Sequence, residues 1–306
     1  MTEPDRVEPR RRLLWNGLRW GLALLIIAVL LRMVKPADFV HALSGVPLYP
    51  YLAIAGAYLL ISFFADSGYW WMFLRLFGIH RPYDEMLAVR GYTYLLMVIN
   101  YGFSVGGIGV YLRNRAGVPA LRSGAMMLLF MVSEWLCLAA LTLLGLRMVG
   151  DGRLPELALF CAVFVAATLA LILLLKSPWI STRAARVGVP GVLHDTPLRV
   201  WLSVVVLRAP YLGLMIVYHA VALPMFGVSA PPEVVAAFVP ALLFIAGLPL
   251  TPAGLGTAQA AMVYAFRDYG APENILAMSL ATMVLVTFGR LPIGLWYAWR
   301  RPAILG

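Results

Sequence analysis

Long apolar runs that carry almost no charge recur along this chain and set the strongest limit on its fold. The run 157–175 is free of charged residues, and the run 51–74 contains a single one, Asp66. About 20 apolar residues form a helix long enough to cross the hydrocarbon of a bilayer. Because backbone polar groups find no water partners there, a spanning segment of this kind is expected to be helical. The pattern therefore predicts an all-α, polytopic integral membrane protein.

The composition excludes a soluble globular protein. Hydrophobic residues make up 62% of the 306 residues and charged residues 12%, whereas an ordinary soluble domain is roughly half apolar and a quarter charged. The polar stretches between the apolar runs are too short to provide a solvated shell, so we expect no soluble domain. The net charge of +10 comes from basic residues that flank apolar runs. Such placement favours membrane topology over nucleic-acid binding.

About eight transmembrane helices are predicted, in a single membrane domain that covers 1–306. The apolar segments are 18–33, 51–74, 91–112, 123–146, 157–175, 200–226, 234–266 and 274–299. The halves 1–176 and 199–306 form a weak pseudo-repeat joined by a basic loop, 177–198. We predict that both termini are cytoplasmic and that the protein lies in the plasma (inner) membrane. A simple count of eight crossings places the basic loop outside, against the positive-inside rule. Either one span is miscounted or the loop lies on the membrane surface.

Two Gly-rich breaks occupy corresponding places in the two halves. Gly106-Gly107-Ile108-Gly109 lies in the first, and Pro252-Ala253-Gly254-Leu255-Gly256 in the second. We predict a re-entrant break at each, because paired broken helices are typical of transporters whose site lies between two halves. A broken helix offers unpaired N–H groups to anions, and glycine allows close approach. The alternative is that Gly and Pro serve only tight helix packing or a kink.

Ionisable residues inside apolar segments are the second indication of a site. Each costs on the order of 2.5–3.5 kcal/mol to insert, so it usually faces a cavity or a partner. We predict a substrate-binding set of seven residues: Arg113, Glu134, Arg208, Gly254, Gly256, Gln259 and Arg290. A structural ion pair between Glu134 and an arginine is an equally weighted alternative. Asp66 and His219 are each alone in their segments and are interpreted as satisfied polar residues near an interface, in preference to proton-relay groups.

The sequence offers no constellation for catalysis or metal binding. Cys137 and Cys161 lie in apolar runs without a neighbouring His or Cys, and the four histidines are scattered. No Ser/His/Asp, paired-carboxylate or spaced-His arrangement is visible. We therefore expect a protein that is not an enzyme and that needs no metal or cofactor.

These motifs resemble those of the lysylphosphatidylglycerol synthase transmembrane (flippase-domain) family. The stretch from Leu248 to Gly256 is similar to that family's Pro-x-Thr-Pro-Gly-Gly-x-Gly signature, and Gly289-Arg290-Leu291-Pro292 resembles its later Arg-containing helix. Ser133-Glu134-Trp135 resembles a helix that carries a Glu. Two departures matter: Val110 and Gln259 stand where the family pattern has acidic residues. The resemblance therefore does not imply roles that need those carboxylates, such as proton coupling or recognition of a cationic headgroup.

The resemblance implies an all-helical membrane domain that moves phospholipid between leaflets. Because the sequence ends at Gly306, we expect no aminoacyl-transferase domain and no aminoacylation of lipid. The leading hypothesis is a translocator of a lipid or lipid-linked intermediate with an anionic headgroup. The alternative is a non-catalytic accessory protein for a lipid-modifying or glycosyl-transfer enzyme. Membrane lipids are the expected partners; such an enzyme and a homo-oligomer stay open, and nucleic acid is not expected.

Overall fold

A computed structural model of the chain describes residues 36–99, 101–149, 155–177, 188–247, 256–301 and 304. Within these ranges the regular structure is helical throughout, which confirms the predicted all-α class. The predicted segment 18–33 lies outside the described residues. The helices are α1 Pro36–Ser44, α2 Leu48–Leu76, α3 Tyr83–Ile99, α4 Tyr101–Asn114, α5 Ala120–Val149, α6 Pro155–Lys176, α7 Val189–Asp195, α8 Leu198–Ala222 with a 3-10 turn Leu223–Phe226, α9 Pro232–Gly247, α10 Thr257–Phe266, α11 Pro272–Phe288 and α12 Leu291–Arg300.

Five helical stretches of the described chain are long and apolar enough to cross a membrane. They are α2, α5, α6, α8 with its 3-10 turn, and the pair α11–α12. The 29 residues of α2 rise about 1.5 Å each and so exceed the roughly 30 Å of bilayer hydrocarbon. The predicted segments 51–74, 123–146, 157–175 and 200–226 each match one of these helices. The number of eight crossings stays a prediction.

The predicted segment 91–112 differs from the structure. It is divided between α3 and α4, and the division falls between Ile99 and Tyr101. The glycines Gly106 to Gly109 lie inside α4 and do not interrupt it, so the predicted position of the first break is wrong. The reason is that α4 packs against α5: the Ser123 hydroxyl of α5 donates to the Gly109 carbonyl at 3.0 Å, and Gly107 and Ile108 are buried. These residues therefore belong to a helix contact, in agreement with the packing alternative.

Helices α3 and α4 form an antiparallel hairpin whose two outer ends lie together. The Arg81 guanidinium, just before α3, donates to the Arg115 carbonyl, just after α4. The Arg122 guanidinium of α5 donates to the Phe77 carbonyl at the end of α2 at 3.1 Å. The chain therefore returns to the same end of the molecule after α3 and α4, and that end also holds the C-terminus of α2.

The second helix pair, α9 and α10, begins and ends at the opposite end. Val234 of α9 and Phe266 of α10 share one apolar cluster with Tyr51 near the start of α2, whereas Leu74 near the end of α2 belongs to another. The residues 248–255 between α9 and α10 lie outside the described ranges. Whether either pair re-enters the membrane, and whether the halves are true repeats, stays a prediction.

The last predicted segment, 274–299, also consists of two helices. Helix α11 ends at Phe288, α12 begins at Leu291, and Gly289 and Arg290 join them. A Cβ at Gly289 would lie 2.6 Å from the Leu59 side chain of α2 and 2.5 Å from the Leu285 carbonyl. Only glycine fits there, so the junction and Arg290 beside it are held at a fixed place against α2.

Candidate functional site: a buried charge cluster

Asp66 of α2 is the centre of a polar cluster enclosed by the helices. The residue is 0% exposed, and its Oδ2 accepts hydrogen bonds from Arg90 of α3, at 2.9 Å from Nε and also from Nη2. Its Oδ1 accepts from Nη1 of Arg208 on α8 at 2.7 Å. One carboxylate therefore holds two guanidinium groups from two different helices.

Glu134 of α5 extends the cluster through Arg208. Its Oε1 accepts from Arg208 Nη2 at 2.7 Å, and its Oε2 accepts from the Tyr101 hydroxyl of α4 at 2.5 Å. Because Arg208 bonds both carboxylates with its two terminal nitrogens, it ties α8 to α2 and α5. Both bonds of Arg208 join a guanidinium to a carboxylate. Such charge-assisted hydrogen bonds are stronger than neutral ones.

Arg290 lies at the junction before α12 and is 2% exposed, yet the described part of the chain offers it no carboxylate partner. Its Nη1 lies 2.9 Å from the Met97 sulfur and its Nη2 lies 3.3 Å from the Tyr211 hydroxyl. Among the residues that the structure describes, no carboxylate lies within ion-pair distance of it, and its Nε has no hydrogen-bond partner. A thioether and a phenol are weak acceptors for a guanidinium, so the charge is poorly compensated.

Two tyrosine rings connect Arg290 to the rest of the cluster. The guanidinium carbon of Arg208 lies 4.1 Å from the centre of the Tyr211 ring, whose hydroxyl meets Arg290. The Tyr94 ring lies 5.0 Å from the guanidinium carbon of Arg90 and 4.7 Å from that of Arg290. Cation–π attraction between these guanidinium groups and the ring faces compensates part of their positive charge. Among the residues that the structure describes, the cluster thus joins three guanidinium groups and two carboxylates, an excess of one positive charge.

The structure brings together three of the seven predicted site residues, Glu134, Arg208 and Arg290. The Glu134–Arg208 ion pair matches the alternative in which Glu134 is structural. It does not account for Arg290, because a buried ion is stable only when it is paired and hydrogen-bonded. The substrate-binding role of all three residues stays a prediction.

The other predicted residues lie elsewhere. Arg113 is exposed in the last turn of α4 and is not a member of the cluster. The Oε1 of Gln259 accepts from the Gly256 N–H at 2.7 Å, which satisfies a free donor at the start of α10. Gly256 has φ +83, a conformation that favours glycine. Gly254 lies outside the described residues.

Several cluster residues escaped the sequence-based prediction. Asp66 was interpreted as a satisfied polar residue near an interface; it is satisfied, but by arginines of two other helices in an enclosed cluster that the sequence did not predict. Arg90 stands one residue before the predicted segment 91–112 and resembled a flanking basic residue. His219 is satisfied within its own helix, since its Nδ1 lies 2.8 Å from the Met215 carbonyl, as expected. The sequence did contain a signal for Asp66: it is the single charged residue in the apolar run 51–74, and a charge in such a run needs a partner.

Comparison with known proteins agrees with this architecture. A family model described as the lysylphosphatidylglycerol synthase TM region matches residues 18–294, which confirms the suspected resemblance over most of the chain. No curated protein matches the chain. With five helices able to span a bilayer, the match identifies a multi-pass membrane protein of the flippase-domain type.

Proposed function

We propose a function from the premise that this chain belongs to the lysylphosphatidylglycerol synthase transmembrane family: it moves a lipid or lipid-linked intermediate with an anionic headgroup between leaflets. The observation that carries the proposal is Arg290, a buried guanidinium with no carboxylate partner among the described residues and an unpaired Nε. An anion bound there would supply the acceptors that Arg290 lacks. The acyl chains would stay in the lipid while the headgroup passes the cluster.

The chemistry of Arg290 suits a phosphate oxygen. A guanidinium is planar, stays ionised and presents parallel N–H groups to phosphate or carboxylate. Arg290 immediately precedes α12, so the partial positive charge of that helix N-terminus adds to the attraction. Because Asp66 and Glu134 already hold Arg90 and Arg208, Arg290 is the cluster cation that is most available to a ligand.

The distribution of basic residues supports an orientation for the proposed transporter. The end of the molecule defined by the α3–α4 hairpin carries Arg81, Arg115 and Arg122. Lys176 at the end of α6 donates to the Leu193 carbonyl at 3.3 Å, and Leu193 packs in the same apolar cluster as Leu74. The described residues on either side of the basic loop, Lys176 and Leu193, therefore lie at that end too. By the positive-inside rule this end faces the cytoplasm of a plasma membrane.

A leaflet-accessibility assay in proteoliposomes tests the proposal. Purified protein is reconstituted with a trace of fluorescent phosphatidylglycerol, and a membrane-impermeant quencher reports the rate at which inner-leaflet lipid becomes accessible. Arg290→Gln should slow this rate at least tenfold relative to wild type, because it removes the unpaired cation. Arg199→Gln is the matched control, since Arg199 is exposed and begins the same helix that carries Arg208.

Two results would contradict the proposal. Equal rates for wild type and Arg290→Gln would remove Arg290 from the site. No accelerated movement by wild type, together with stable co-purification of a lipid-modifying or glycosyl-transfer enzyme, would support the accessory role instead. The proposal that the chain itself is not an enzyme predicts that the reconstituted lipids are recovered chemically unchanged by mass spectrometry.

A further inference from the structure

We infer that the buried charge cluster selects a headgroup with one net negative charge, a phosphodiester, and that Glu134 is the residue that sets this preference. The inference rests on the proposed function and adds the charge class of the substrate. It follows from counting the ionised groups that the helices enclose together and from the bonds that hold each of them.

Direct contacts join the five ionisable groups of the cluster. Asp66 accepts from Arg90 and from Arg208, and Glu134 accepts from Arg208. Arg290 contacts two tyrosines of the same group, Tyr94 and Tyr211. Three cations and two anions leave an excess of one positive charge. This count is of the described residues; the undescribed residues 248–255, between α9 and α10, contain no charged side chain.

A single negative charge on the ligand balances the cluster. Charges that stay uncompensated in a medium of low dielectric constant are strongly unfavourable. A phosphodiester monoanion brings the total to zero, whereas a phosphomonoester dianion leaves an excess negative charge. A headgroup with no net charge leaves the positive charge as it was. The cluster should therefore favour the monoanion over both.

Glu134 is the residue whose replacement can change the net charge of the cluster while the contacts of Asp66 with both arginines are retained. Asp66 holds arginines from two helices and its side chain is 1% exposed, whereas Glu134 holds one arginine and is 12% exposed. Glutamine has the same shape as glutamate and retains an acceptor for Arg208 or Tyr101. Glu134→Gln consequently raises the cluster from one to two net positive charges while the packing stays the same.

The experiment compares fluorescent or radiolabelled lipids in the proteoliposome assay at pH 8. Phosphatidylglycerol carries a phosphodiester monoanion, phosphatidic acid carries a phosphomonoester that is largely dianionic at this pH, and phosphatidylethanolamine is net neutral. A polyprenyl phosphodiester of a hexose forms a fourth arm, because the same monoanion occurs in glycerophospholipids and in lipid-linked sugars. A preference between the first and fourth arms identifies the source of the phosphodiester.

We expect wild type to move its preferred monoanionic lipid at least tenfold faster than phosphatidic acid or phosphatidylethanolamine. Glu134→Gln should change the ratio of monoanion to phosphatidic acid at least tenfold in favour of the dianion. Glu156→Gln, at an exposed position in the first turn of α6, should leave the ratio unchanged.

Three results overturn the inference in distinguishable ways. Wild type that moves phosphatidic acid or phosphatidylethanolamine as fast as the monoanions refutes the charge preference, whether or not the variant folds. A folded Glu134→Gln protein with the wild-type ratio refutes the role of Glu134. Wild type that moves none of the four lipids refutes the proposed function, and the inference with it.

Discussion

Replacing Asp66 with asparagine should be among the most destabilising single changes in the chain. The substitution keeps the shape of the side chain but removes the charge that holds Arg90 and Arg208. Glu134 can still compensate Arg208, so the Arg90 guanidinium becomes a further buried cation without a counter-charge among the described residues. Breaking a buried ion pair on one side costs about 3–5 kcal/mol. At roughly 2–4 °C per kcal/mol, the midpoint of thermal unfolding should fall by an amount on the order of 10 °C.

The measurement is thermal unfolding of the detergent-solubilised protein, followed by tryptophan fluorescence. Asp84→Asn is the matched control, because Asp84 pairs with Arg301 at the same 2.7 Å distance but both side chains are exposed, 61% and 46%. An exposed pair contributes about 0–1 kcal/mol, so this variant should unfold within a few degrees of wild type.

A double variant tests the explanation itself. Asp66→Asn combined with Arg90→Gln removes the uncompensated cation along with the carboxylate, and leaves Arg208 paired with Glu134. It should therefore be more stable than Asp66→Asn alone by about 1–3 kcal/mol. A double variant that is less stable than the single one, or Asp66→Asn and Asp84→Asn that unfold at the same temperature, would refute the reasoning from buried charge.

Three further stability predictions follow from the packing and the hydrogen bonds of α5. A Cβ at Gly145 would lie 2.4 Å from the Ala237 Cα of α9, so Gly145→Ala should cost about 1–3 kcal/mol by overpacking. Gly124→Ala, with nothing within 4 Å, should stabilise the same helix by up to about 1 kcal/mol. Tyr101→Phe removes a donor to Glu134 and should cost about 1.5–3 kcal/mol. Chemical or thermal unfolding in detergent measures all three, and equal stabilities of the two glycine variants would contradict the overpacking.

The long helices could be predicted from the sequence because hydrophobic length is a local signal. The segments 123–146 and 157–175 match α5 and α6 to within a few residues. The interruptions could not be placed so well. The division between α3 and α4 falls within an apolar run, and the glycines of α4 lie inside a continuous helix. In the sequence, Gly and Pro look the same whether they interrupt a helix or let it pack closely against another helix.

Several residues of the candidate site could be predicted from the sequence, but the contacts between them could not. Glu134, Arg208 and Arg290 stand out because a charge inside an apolar run needs a partner. The identity of that partner depends on the tertiary fold, since Asp66 and Arg208 are 142 residues apart. Arg90 was missed for a local reason: the helix that carries it starts at Tyr83, earlier than the apolar segment, and so places the arginine inside the protein.

The long separations within the charge cluster determine the order in which its bonds can form during biosynthesis. Asp66 meets Arg90 only 24 residues later, so α2 and α3 can insert as a neutralised pair. Glu134 precedes Arg208 by 74 residues. At roughly 5–20 residues per second of synthesis, α5 waits on the order of 10 s with its carboxylate lacking that partner. A nascent chain stalled before α8 therefore carries the Glu134 carboxylate without its Arg208 partner.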